Sequence, residues 1–113
     1  MPASHSELPA FLKTIDTLIA AGNYKEVAET YTAFVTEHPT TSYLASEPIP
    51  FKVNAHLSTK YGSSATTTFT LRNTTWTSDV KSALKAGGDA FASLLAKYDA
   101  EVAEIAQSVK KVA

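Results

Sequence analysis

The chain contains no cysteine. That removes disulfides, thiolate metal sites and cysteine nucleophiles together, so stability must come from packing alone. Charge of neither sign is in surplus: 10 Lys and Arg stand against 11 Asp and Glu. Such a balance offers no basic field to a phosphate backbone, and nucleic acid is not an expected partner. No apolar run approaches the ~20 residues a membrane-spanning helix needs. The opening stretch MPASHSELPAFLKTIDTLIAAGN has no basic start, and Lys13 and Asp16 interrupt its apolar residues. It does not read as a signal peptide, so a cytoplasmic or non-classically secreted chain is expected. Glycine is scarce, with four in all. A Gly-x-Ser-x-Gly elbow, a P-loop and a dinucleotide fingerprint are all missing. An enzyme is therefore not the first expectation, and no cofactor is expected.

What remains is ample material for a core. The 113 residues are 44% hydrophobic, which suits a single globular domain spanning residues 1–113. Leu8, Phe11, Leu12, Ile15, Leu18 and Ile19 fall on one stripe of an amphipathic helix. Ser6 is a candidate N-cap, Pro9 falls in the first turn, and Gly22-Asn23 ends the helix. Tyr24, Val27, Ala28, Tyr31, Phe34 and Val35 repeat the same spacing, with Asn23 and Glu26 at capping-box distance. The two stretches predict an αα-hairpin. Residues 21–35, AGNYKEVAETYTAFV, resemble the second helix of a tetratricopeptide unit at Gly22, Asn23, Tyr24 and Ala28. Nothing recurs at the roughly 34-residue period of that family, so the likeness implies helical-hairpin grammar and no repeat array.

Residues 38–50, HPTTSYLASEPIP, carry three prolines and predict a connector, extended in places, with Tyr43 and Leu44 pinning it to the core. From Phe51 the apolar period falls to two. Phe51, Val53, Ala55 and Leu57 alternate with polar residues, and beyond YGSS so do Thr67, Phe69 and Leu71. This pattern predicts a β-hairpin pairing Leu57 with Phe69 and Ala55 with Leu71. Its other face would be a polar comb containing His56, Thr66, Thr68, Thr70 and Arg72, with Trp76 beside it. Val80, Ala83 and Leu84 then begin a helix that breaks near Gly87-Gly88. A long C-terminal helix follows, striped by Phe91, Leu94, Leu95, Tyr98, Val102, Ile105, Val109 and Val112. The expected fold class is α+β, mostly helical: an N-terminal αα-hairpin, a central β-hairpin and a long, broken C-terminal helix.

Chemistry-bearing residues are dispersed. His5, His38 and His56 are far apart and none has a ligand partner at a recognised spacing, so no metal site is expected. Glu26/Glu29 and Glu101/Glu104, with Asp99, read as solvated helix faces. Asn73-Thr74-Thr75 is a glycosylation sequon. The leading functional expectation is a small non-enzymatic binding protein that self-associates as a dimer. Its open ribbon edges and long apolar stripe would meet a partner copy, and the face His56, Thr66, Thr68, Thr70, Arg72 and Trp76 is its candidate contact surface for protein or carbohydrate. The alternative is a carrier of a lipid or other apolar molecule, or a minor enzyme. Its pocket would lie between the hairpin and the last helix, with Tyr31, Tyr61 and Tyr98 as candidate lining. In size, lack of Cys and Thr-rich strands the chain also resembles the fungal immunomodulatory proteins, a likeness of composition only, which implies a sugar-binding or immunomodulatory type of secreted protein.

Overall fold

The structure, a computed structural model, describes the backbone of residues 3–112 and the side chains of 6–109. The side chains of His5 and Val112 lie outside the described residues. Among the described residues seven α-helices follow one another: α1 (Ala3–Ala20), α2 (Tyr24–Glu37), α3 (Ser42–Ser46), α4 (Pro48–Tyr61), α5 (Ser63–Arg72), α6 (Trp76–Ala86) and α7 (Gly88–Val112). A 3₁₀ turn, Pro39–Thr41, leads into α3. Among the described residues there is no strand. No helix among the described residues is long and apolar enough to cross a membrane.

The helical hairpin expected at the N-terminus is present. Phe11, Ile15 and Ile19 of α1 and Val27, Ala28 and Tyr31 of α2 are buried, and Phe11 stacks on Phe34 with ring centroids 4.3 Å apart. The corner is a Schellman turn: Asn23 N–H donates to Leu18 O at 2.9 Å and Gly22 N–H to Ile19 O at 3.0 Å. Gly22 takes φ 77°, a left-handed value that costs glycine nothing. Two details differ from expectation. The first helix starts at Ala3, ahead of Ser6, which places Pro9 inside it. Asn23 occupies the cap of α2, yet its side chain makes no capping bond.

The central β-hairpin does not exist, and the fold is all-helical rather than α+β. The apolar face of α4 is Ile49, Val53 and Leu57, and that of α5 is Ala65 and Phe69. Both are spaced by four, one helical turn. Phe51 and Leu71, inward on a strand, are instead 57% and 75% exposed. The Thr-rich run satisfies its hydroxyls on its own helix: Thr68 Oγ1 donates to Ser64 O and Thr70 Oγ1 to Thr67 O, both at 3.0 Å. That local bonding suits a helix as well as β-branched propensity suits a strand, and burial decides between them.

The proline-rich connector is helical too. Pro48 and Pro50 sit in the first turn of α4, where the missing N–H costs no helical bond. Ala45 and Ile49 anchor this region in the core, while Tyr43 and Leu44, the expected pins, are exposed.

The break at Gly87 is as expected: α6 ends at Ala86, Gly87 takes φ 130°, and α7 starts at Gly88. At 1.5 Å per residue, the 25-residue α7 is ~37 Å long, and it packs against α2, α4, α5 and α6. Its Phe91, Leu95, Tyr98, Val102 and Ile105 are buried in the same cluster as the stripes of the other helices. With no strand edge, and with Val102 and Ile105 covered within the chain, the two sequence grounds for a dimer lose their structural basis.

Candidate functional site

Gly62 separates α4 from α5, taking φ 99°, and the two helices fold back on each other at that corner. Ser58 Oγ and Thr66 Oγ1, 2.6 Å apart, tie them together. The corner faces the last turns of α7 across a cleft of about 720 Å³. Ala65, Ala103, Ala106 and Val109 give its apolar walls, and small side chains on α7 are what leave the space open. Polar atoms come from Lys60, Ser63, Ser64, Glu104 and Gln107 at its border.

Asp99, a turn below the cleft on α7, braces the corner. It accepts Tyr61 Oη–H at 2.5 Å and Lys60 Nζ–H at 2.8 Å, and the Lys60 ammonium lies 5.2 Å from the Tyr61 ring centre. Burial alone would push Asp99 up, but the hydrogen bonds from Lys60 and Tyr61, with the charges of Lys60 and His56, outweigh it and hold the carboxyl below its usual range. Its hydrogen bond to Asp99 pushes Tyr61 up, with burial adding to the effect. The hydrogen bonds to Asp99 and Tyr61 likewise hold Lys60 above its ordinary value. Tyr24 is raised by burial first and by Asp99 second, and its ring meets His56 edge-on at 6.5 Å. Asp99, Lys60, Tyr61 and Tyr24 are each driven deeper into their neutral-pH charge states, the reverse of the poise that proton transfer requires.

The six residues of the expected contact surface are not gathered on one face. Thr66 is buried and accounts for its hydroxyl with Ser58 and Ser63 O. Thr68 and Arg72 fall a helical turn apart on α5, Thr70 lies on a different side, and His56 belongs to α4 beside Tyr24. Trp76 opens α6 and meets Phe51 edge-on at 6.0 Å. Of the expected pocket residues only Tyr61 lines the cleft. Tyr31 is buried, with its hydroxyl 3.5 Å from Ser42 O. Tyr98 packs on Phe69 at 4.8 Å, and burial, followed by the charges of Asp79 and Glu101, pushes it up to about 12. The sequon's Asn73 amide donates to both Phe69 O and Glu101 Oε2 at 2.9 Å, closing the end of α5 onto α7.

Asp99, read from the sequence as part of a solvated helix face, is instead the brace of the corner, and its partners 38 and 39 positions away leave no local sign of that. No family model, curated protein or solved structure matches the chain.

Proposed function

We propose that this is a small binding protein that holds an apolar molecule with one polar end in the cleft between the α4–α5 corner and α7. The observation that carries the reading is the cleft itself. Its volume of about 720 Å³ lies within the ~300–1,000 Å³ typical of small-molecule sites, and it joins apolar walls to a few convergent polar groups. Ala65, Ala103, Ala106 and Val109 would cover the apolar body. The polar end would lie by Ser63, Ser64 and the half-exposed Lys60 ammonium, which has donors beyond the one given to Asp99. The Asp99 brace supports binding rather than catalysis, because it fixes the corner and presents no group poised to exchange a proton.

A thermal-shift panel of fatty acids, sterols, simple sugars and aromatic acids tests this. A ligand at a hundredfold excess over its Kd stabilises by about 2.7 kcal/mol, and the reading expects an apolar member to do so. Ala103→Phe, which fills the cleft, should remove that shift while the chain stays folded. A shift that survives Ala103→Phe, or one caused by sugars alone, would count against the cleft.

Self-association is the second reading, favoured by exposed apolar side chains. Phe51 is 57% exposed and Leu71 75%. Phe51 touches Trp76, and Leu71 lies in the last turn of α5, which ends at Arg72. Exposed apolar side chains of this size suit a protein partner or a second copy. Light scattering at micromolar concentration should then give twice the 12.1 kDa chain mass, and a Phe51→Ser/Leu71→Ser chain should not.

A further inference from the structure

Away from the cleft, where α1 begins and α2 ends, three ligand-bearing side chains converge. Glu7 comes from α1, Glu37 is the last residue of α2, and His38 caps that helix. His38 is held on all sides. Its N–H donates to Phe34 O at 2.8 Å, its carbonyl accepts both Thr41 N–H and Thr41 Oγ1–H, and its ring lies 4.9 Å from that of Phe34. The imidazole is only 12% exposed. Its Nε2 is sealed from solvent and makes no hydrogen bond, which is costly for a buried polar atom. What Nε2 faces is one oxygen of Glu7 and one of Glu37, each 3.5 Å away.

That spacing is too long for a good hydrogen bond and suits another purpose. Three donors bound tetrahedrally to an ion at ~2.1 Å stand ~3.4 Å from one another. The three ligand atoms here all lie within 4.8 Å of one another, and the two His–Glu separations are 3.5 Å. Charge agrees with geometry. Two carboxylates and the negative end of α2 face the imidazole nitrogen, and among the described residues neither carboxylate pairs with a Lys or Arg. A groove of about 350 Å³, bordered by Glu7, Thr14, Thr30, Phe34 and Glu37, opens beside the two carboxylates.

We propose that Glu7, Glu37 and His38 form a binding site for a divalent transition metal, with Zn²⁺ the best match to one imidazole nitrogen and two carboxylate oxygens. The ion would satisfy the orphaned Nε2, neutralise both carboxylates and fasten the start of α1 to the end of α2. The site shares no residue with the cleft, so its failure leaves the cleft reading untouched.

Calorimetric titration of the full chain, free of any histidine tag, with ZnCl₂ at neutral pH tests the proposal. One ion per chain is expected, together with a higher Tm and, with Co²⁺ in place of Zn²⁺, the intense visible absorption of a four-coordinate ion. His38→Gln, Glu7→Gln and Glu37→Gln should each weaken binding at least about tenfold, the least that loss of even an outer-shell partner usually costs. Glu26→Gln with Glu29→Gln, exposed carboxylates elsewhere on α2, should leave affinity unchanged. If His38→Gln does not fold, Glu7→Gln decides, since Glu7 is half exposed and its side chain packs little. Absence of Zn²⁺ binding, or binding that survives Glu7→Gln and Glu37→Gln, overturns the site and leaves a plain histidine–carboxylate contact.

Discussion

Asp99 receives hydrogen bonds from two side chains of one helix end, and its depressed pKa makes stability depend on pH with a definite sign. Its contribution is complete above its ordinary value of 3.8 and is lost as pH falls through the lower folded value. On the alkaline side the signs reverse. Tyr61 and Lys60 are raised, so their contributions are complete below their ordinary values of 10.0 and 10.5, and are lost as pH rises through the folded ones. Urea midpoints measured from pH 2 to 11 should therefore fall at both ends, with the slopes flattened in Asp99→Asn. Phe69 and Leu71 give a second prediction at this scale. Phe69 is 1% exposed against Tyr98, and Leu71 is 75% exposed. Phe69→Ala should cost about 3–5 kcal/mol and Leu71→Ala no more than about 0.5 kcal/mol. Equal losses in urea unfolding would restore the two residues to one face and overturn the helix.

The elements differ in how plainly the sequence announces them. α1, α2 and α7 carry five or more apolar residues at a period near 3.6, and the Gly87-Gly88 break is marked by residues few helices tolerate. α4 and α5 are not legible in the same way. Val53 and Leu57 stand four apart, as do Ala65 and Phe69, and four is both one helical turn and two strand repeats. Thr and Val between them tilt the choice toward strand by propensity, while tertiary burial tilts it back. The better signals were Ile49 extending the series to Ile49, Val53 and Leu57, with prolines at its start and Gly62 at its end. The cleft and its brace were less legible still, because contacts between α4 and α7 leave no local trace in either segment. Two glycines test the element packing. A Cβ on Gly88 would come within 2.8 Å of Lys25 O and 2.7 Å of Lys25 Cγ, so Gly88→Ala must push α7 from α2 and should cost about 1–3 kcal/mol. Gly62→Ala meets nothing within 4 Å but must hold φ 99°, and should cost roughly 1 kcal/mol or more. Thermal unfolding of both variants reads these losses.

At the scale of the whole molecule the helices make a body of 55 × 23 × 22 Å with a radius of gyration of 14.8 Å. A compact chain of this length would have about 13 Å. Solution scattering from the monomer should return the elongated value, and far-UV circular dichroism should show a helical spectrum without a strand component. The helix that most others rest on follows all of them in the sequence. Phe69 packs on Tyr98, and α2, α4, α5 and α6 all lie against α7, so a chain ending at Gly87 should stay unfolded and be cut quickly by proteases. During synthesis, at roughly 5–20 residues per second, the apolar faces of the earlier helices leave the ribosome seconds before their cover does. The newborn chain must stay open until α7 has emerged, because α2, α4, α5 and α6 all lie against it.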